Sequence, residues 1–324
     1  MLFLLEDMMK FIELFAGIGG FRYGLEKVGE YLEEQSQIRI GLRFKRDISN
    51  IKSKFGWNNK IRFNCVYANE WDKYAAQIYE KNFGNKPDTR DIRMVDFSDI
   101  PDHDLLTGGF PCQAFSNSGK RKGFEDTRGT LFFEIARILT VKRPKYCLFE
   151  NVEGLLFHDR GRTFQVILST LDELGYDIQW QVLNSKDFGV PQNRKRIFIV
   201  GHIRGERRPE VFPIRRTDEI FQDRDIEINK ITIPVLDPNR INHKAHGRRF
   251  KTNGEPSFTI AGQDTPGIYD GIKIRRLTPI ECERLQGFPD NWTEGICDTQ
   301  RYKCLGNAVT TNVITEIGKR LIKN

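Results

Sequence analysis

The side chains with most chemistry to offer fall at four places. Cys112 stands in Gly108-Gly109-Phe110-Pro111-Cys112-Gln113-Ala114-Phe115-Ser116, a thiol on a turn bounded by glycine and proline. Glu150 follows the apolar run Lys145-Tyr-Cys-Leu-Phe149, and Arg194 and Arg196 stand two apart in Pro191-Gln-Asn-Arg-Lys-Arg196. A thiolate is a nucleophile, and a carboxyl flanked by apolar Phe149 and Val152 suits proton donation. Two guanidinia at strand period point to one face, with Lys195 opposite, and suit an anion or a carbonyl. The fourth place is Phe15-Ala-Gly-Ile-Gly-Gly20, whose small residues let the backbone approach a nucleotide-like ligand. Each has a plainer reading: a small buried Cys, a helix-capping Glu, a charged strand edge, a bare strand-to-helix turn.

The elements that must position these groups alternate between strand and helix. Phe11–Phe15 reads as a strand, and Phe21–Val28 as the helix after the glycine turn. Residues 29–62 are polar, without a clean period, and read as an insertion. Phe63–Asn69 is a second strand ending at Glu70-Trp71, where an acid can bond ribose hydroxyls and an indole can lie against a purine, although Glu70 can equally cap a helix. Thr89–Ile92 is a possible third strand end carrying Asp91. Asp104–Thr107 then delivers Cys112 to the carboxyl edge of the sheet, where open α/β sheets build their sites. Ser116–Gly129 is a glycine-bounded basic loop holding Ser118, Lys120, Arg121, Lys122 and Arg128, suited to phosphates and to closing over a substrate. A helix over Thr130–Thr140, a strand ending at Glu150, a helix near Phe164–Leu174 and strands over Asp177–Leu183 and Arg196–His202 follow.

From about Gly205 to Ile274 the chain is irregular. Its run Arg240–Lys251 holds five Lys or Arg, two His and no acid, a composition suited to phosphate and base contacts. Thr278-Pro279 starts a helix, and Gly306-Asn307-Ala308 is expected to open the last one, with Val309, Val313, Ile317 and Leu321 as its buried stripe.

Composition narrows the class. With 324 residues, 39% hydrophobic and 29% charged, the chain belongs with soluble globular proteins, and a formal charge of +7 suggests a polyanionic partner. The six cysteines form no C-x-x-C pair and no zinc spacing, so no metal is expected and reduced thiols in a cytoplasm are the simplest reading. The apolar start is cut by Glu6 and Asp7, which argues against a secretory signal or a membrane span.

Taken in order, Phe15-Ala-Gly-Ile-Gly-Gly20, Asn69-Glu-Trp71, Asp91, Gly109-Phe-Pro-Cys-Gln113, Glu150-Asn-Val152, Gln192-Asn-Arg-Lys-Arg196, Arg276-Leu-Thr-Pro, Glu283-Arg-Leu-Gln-Gly-Phe-Pro289 and Gly306-Asn307 resemble the motif series of the cytosine-5 DNA methyltransferases, of the small bacterial restriction-modification type. The resemblance implies an α/β fold with a Rossmann-like, mixed but mostly parallel sheet, that of S-adenosylmethionine-dependent methyltransferases. A catalytic domain over 1–204 and 276–324 would be interrupted by a target-recognition domain over 205–275, with duplex DNA in the cleft. It implies S-adenosyl-L-methionine held by Phe15, Gly17, Gly19, Glu70, Trp71, Asp91, Pro111, Leu131 and Asn307, the last beside the glycine turn.

The same resemblance assigns roles. Cytosine is flipped out of the duplex, Cys112 attacks C6, Glu150 holds or protonates N3, Arg196 holds O2 and Arg194 supports that pocket. Ser118 and the basic loop contact DNA, as do Arg240, Lys244, Arg248, Arg249 and Lys251, and Thr259-Ile260 matches the family's Thr-aliphatic pair. A cytoplasmic monomer is expected, with a restriction endonuclease acting on the same site without direct contact. Two other readings stand beside it: a tRNA cytosine-5 methyltransferase, which Phe110 in place of a second proline disfavours, and a catalytically idle DNA-binding relative, which Cys112, Glu150 and Arg196 together disfavour. The recognition sequence and the role of residues 29–62 are not legible.

Overall fold

The computed structural model describes residues 8–43, 62–111, 131–206, 208–215, 233–236, 238, 249–261, 266–269 and 273–323. Six strands form the main sheet: β1 (Met8–Leu14), β2 (Arg62–Asn69), β3 (Leu105–Gly109), β4 (Tyr146–Val152), β5 (Tyr176–Asn184) and β6 (Lys195–Ile203), in the order β2-β1-β3-β4-β6-β5. The first four run parallel, whereas β6 is antiparallel to both β4 and β5. The sheet is therefore mixed and mostly parallel, as the sequence implies.

Helices cover both faces: α1 (Gly20–Arg43), α2 (Lys73–Phe83), α3 (Leu131–Lys142) and α4 (Arg162–Glu173). The chain adds a small antiparallel sheet of β7 (Ile233–Val235), β8 (Gly267–Tyr269) and β9 (Ile274–Arg276), then α5 (Pro279–Leu285), α6 (Asp298–Asn307) and α7 (Thr311–Leu321). Among the described residues, no helix is long and apolar enough to cross a membrane.

Period-two alternation divides the strand side chains between two layers. On one side Phe11, Leu105, Leu148 and Phe198 join a cluster with Phe21, Leu25 and Val28 of α1 and Val313, Ile317 and Leu321 of α7. On the other, Ile12, Leu106, Cys147, Phe149 and Ile199 join Ile135 and Leu139 of α3 and Ile167 and Leu171 of α4. Local signals set the helix ends. Asp72 caps α2 by accepting from the amides of Tyr74 and Ala75 at 2.9 and 3.1 Å, and Thr278 and Glu281 form a capping box at α5 with Pro279 in the first turn.

Three expectations need correction. The first helix does not stop at Val28 but continues to Arg43, because Gly29 is tolerated inside a run otherwise rich in helix-forming residues and free of proline. Residues 89–92 form no strand: only Asn69 and Asp88 share an isolated bridge, and Asp91 caps a short 3-10 turn through the Arg93 amide. Gly306-Asn307 closes α6 instead of opening α7, and Val309 lies buried in the break between them.

Glu13 sits on β1, fully buried, with Oε1 accepting from the amides of Phe21 and Arg22 at the start of α1. Burial pushes its carboxyl up to about 8, against the pull of those amides and of the Arg22 charge. An acid with a raised folded pKa favours the protonated native state, so its contribution to stability is full below about pH 4.5 and is lost as pH rises toward about 8. Glu13→Gln, which keeps an acceptor without the charge, is therefore expected to gain thermal stability over the wild type as pH rises across that window and to match it at the acid end. Thermal melts of both proteins across pH check this, and parallel curves would contradict it.

Candidate active site

The parallel strands all end at one edge, and β6, running the other way, begins there: Val152 pairs with Arg196 in the ladder. This antiparallel return brings the arginines to the edge that receives Phe15, Glu70, Pro111 and Glu150. A cavity of about 950 Å³ opens at that edge, in the range of cofactor and substrate clefts.

One half of its wall suits a nucleoside. Phe15 follows β1 with φ 55° and Gly17 comes two residues later with φ 54°. A Cβ on Gly17 would meet no protein atom within 4 Å, so the turn presents bare backbone to the cavity. Glu70 accepts from the Gly17 amide through Oε2 and from the Asp72 amide through Oε1, both at 2.7 Å. Burial raises the Glu70 carboxyl above its usual range despite those two amides. Trp71 is 72% exposed and offers a ring face. Asp91, paired with Arg93 and held below the usual carboxylate range by it, Leu131 at the start of α3 and Asn307 at the end of α6 complete this half. Gly19 is not part of the lining. A Cβ there would fall 2.1 Å from the Phe83 ring, so glycine is required at this position for close packing against α2.

The other half carries charge. Glu150 Oε1 lies 3.0 Å from Arg196 Nε, with both side chains largely buried. Phe149 points into the opposite layer, so the apolar flank expected for Glu150 is replaced by a guanidinium. Arg194 also lines the cavity but has little left for a ligand. It is buried, and donates to the carbonyls of Ile260 at 2.6 Å, Ala308 at 2.8 Å and Gly306 at 3.0 Å. Burial, with Arg196 nearby, pulls it down to about 9. Sequence reasoning missed two partners of this half. Asn151 donates to the Phe110 carbonyl at 2.8 Å, tying the end of β3 to β4 just before Cys112. Gln192 accepts from the Ile260 amide at 2.9 Å and donates to the Leu285 carbonyl at 2.9 Å. Both lie inside motifs already noted, but nothing in their type marked them as brackets.

A family model for the C-5 cytosine-specific DNA methylases matches residues 9–253 and 224–323. The chain belongs to this family. It is a DNA cytosine-5 methyltransferase, and its cofactor is S-adenosylmethionine. Among curated relatives it is 42% identical to the type II methyltransferase M.NgoBI of Neisseria gonorrhoeae, over 95% of this chain and 91% of that protein. It is 36% identical to the type II methyltransferase M.HhaI of Haemophilus parahaemolyticus, over 95% and 93%. Among solved structures, the Schizosaccharomyces pombe Dnmt2 methyltransferase shares the fold at 20% identity, with a TM-score of 0.64 over 96% of each chain.

The cofactor fits the first half of the cavity on the methylase's own geometry: an open glycine backbone, a buried carboxylate at the end of β2, an exposed indole and enough volume. On the recognition side the picture is mixed. Thr259 spends its hydroxyl on the Asn193 carbonyl at 2.6 Å, and Lys251 is engaged by the Ser257 carbonyl at 3.0 Å and by the Phe258 ring. The Lys251 contacts lie within the segment and the Thr259 bond ties it to the stretch before β6, whereas Arg249 lies next to Phe250, which bridges to Val235. Cys112, Ser118, Lys120, Arg121, Lys122, Arg128, Arg240, Lys244 and Arg248 lie outside the described residues.

The two arginines should therefore fail differently. Arg194→Leu strands buried carbonyls and is expected to lower unfolding free energy by about 2–4 kcal/mol, together with a higher KM for the cofactor. Arg196→Leu breaks one ion pair at the cavity wall, where water can reach the Glu150 carboxylate left behind, and is expected to cost less than Arg194→Leu while removing activity. Denaturant titration alongside steady-state kinetics separates the two, and equal destabilisation would contradict this division.

Proposed function

We propose that the cavity holds two ligands side by side: S-adenosylmethionine against Phe15, Gly17, Glu70, Trp71, Asp91 and Asn307, and a cytosine flipped out of duplex DNA against Glu150 and Arg196. Pro111 and Leu131 stand between them. The observation that carries this reading is the Glu150–Arg196 pair, 3.0 Å apart, facing the same cavity as the open backbone of Gly17. Cys112 follows Pro111 directly in the chain.

Cytosine C5 is too electron-poor to be methylated unaided, so the residues must first make it nucleophilic. The Cys112 thiolate forms a bond to C6 while Glu150 delivers a proton to N3, which turns C5 into an enamine carbon. Arg196 holds O2 and keeps Glu150 in place. When bound, S-adenosylmethionine supplies the electrophilic methyl that C5 takes up. Water takes the C5 proton, the C–H electrons form the C5=C6 bond, the C–S pair returns to sulfur so that Cys112 leaves as thiolate, and N3 returns its proton to Glu150.

The enzyme is read as the modification arm of a restriction-modification system, acting in the cytoplasm. A restriction endonuclease would read the same site without touching it. Residues 1–204 and 276–324 form the catalytic domain and 205–275 the target-recognition domain; the small β7-β8-β9 sheet supports that division, although β9 reaches Arg276. One chain supplies both halves of the cavity, which supports action as a monomer.

Incubating the protein with labelled methyl donor and either duplex DNA or tRNA should label DNA at cytosine C5, and preferential labelling of tRNA would reverse the substrate assignment. Cys112→Ser is expected to abolish turnover and Glu150→Gln to lower kcat about 10²- to 10⁴-fold. Bisulfite sequencing of DNA from expressing cells would give the recognition sequence.

A further inference from the structure

Among the described residues, the cavity is lined by four carboxylates, Glu70, Asp72, Asp91 and Glu150, and by four cations, Arg93, Arg194, Arg196 and Lys303. Three of the carboxylates are paired: Asp91 with Arg93, Glu150 with Arg196, and Asp72 with Lys303. The last pair joins the two segments that make up the nucleoside half. Asp72 follows Glu70-Trp71 and begins α2, whereas Lys303 stands four residues before Asn307 on α6.

Its two members are not held alike. Asp72 is anchored, with Oδ1 capping α2 and its own amide bonded to Glu70, so only Oδ2 is available to Lys303, at 2.7 Å. The Lys303 side chain is 48% exposed and reaches the pair from the solvent side. The seam between α2 and the C-terminal segment has other ties. Lys81 Nζ donates to the carbonyls of Glu294 and Asn291 at 2.9 and 3.1 Å, and Asn82 donates to that of Trp292 at 2.9 Å. Loss of the Asp72–Lys303 contact would therefore change the charge of the cavity rim without parting the two segments.

That charge matters because methyl transfer changes the charge of the ligand. The donor carries a sulfonium; the by-product is a thioether with one positive charge fewer. We propose that the Asp72–Lys303 pair is a charge-balancing latch on the cavity rim that sets how strongly the methylase prefers its cationic donor to the neutral by-product. This rests on the assignment of the cavity as the cofactor site. Paired, the two side chains cancel. Alone, Asp72 favours the sulfonium and Lys303 disfavours it, and neither does much to the thioether.

The test is calorimetric titration of the full-length protein with S-adenosylmethionine and with S-adenosylhomocysteine, in the wild type, Lys303→Met, Asp72→Asn and the double variant. Asparagine is an N-cap as good as aspartate, so α2 keeps its start. Lys303→Met should move the affinity ratio toward the donor by about threefold to tenfold, and Asp72→Asn should move it by a similar factor toward the by-product. The double variant should return near the wild-type ratio, and both single effects should shrink with added salt. A purely structural role would weaken both ligands together. One ratio shared by all four proteins, or single variants moving the same way, would overturn the latch. A wild type that binds neither ligand would overturn the cofactor assignment and the latch with it.

Discussion

A buried guanidinium that meets carbonyls instead of a carboxylate is the constraint on which this site depends. Arg194 joins three stretches far apart in sequence: the start of β6, the Ile260 end of the recognition segment, and the Gly306–Ala308 break between α6 and α7. An ion buried without a contacting carboxylate is costly, and here the three carbonyls take its two terminal nitrogens, whereas Nε has no hydrogen-bond partner among the described residues. Gln192 and Gln286 extend the same logic. Gln192 grips Ile260 and Leu285, and Gln286 donates to the Leu305 carbonyl at 2.7 Å while accepting from Thr310 at 2.8 Å. The segment ending at Ile260, the end of α6 and the strand bearing Arg196 are thus tied to one another.

Around that hub, topology does the remaining placement. Four parallel strands send their carboxyl ends to one edge, but a parallel neighbour of β4 would have carried its first residues to the far edge. The antiparallel run of β6 reverses this, and the Glu150–Arg196 pair exists because of it. The two halves of the cavity consequently differ in kind. The nucleoside half is made from backbone amides and one shielded acid, and the base half from an ion pair between adjacent strands.

Much of this was legible in the sequence, and the reasons differ by element. Ordered motifs placed Glu70, Trp71, Glu150 and Arg196 because each lies at a strand end, where type and position coincide. Arg194 was assigned to the same pocket, but a sequence cannot distinguish a guanidinium offered to a ligand from one spent on three carbonyls. Gly17 and Gly19 look alike in the sequence because glycine serves both close packing and open backbone, and only the Phe83 ring beside Gly19 tells their surroundings apart. The start of α6 carried no signal, since Cys297 gives no side-chain cap, so Gly306-Asn307 read as the opening of the last helix instead of the close of the one before. Lys303 was invisible for a related reason: its partner lies 231 residues away.

The packing of α7 has a consequence for how the enzyme folds. Val313, Ile317 and Leu321 of α7 fill the same layer as Phe21, Leu25 and Val28 of α1, and Thr315 donates to the Gly24 carbonyl at 2.8 Å. One face of the sheet therefore waits for residues near position 321 before it can close, and contacts of such sequence separation form late. A chain lacking α7 would leave Phe21, Leu25 and Val28 without their cover, so closure of this face joins residues nearly 300 positions apart into one cooperative unit.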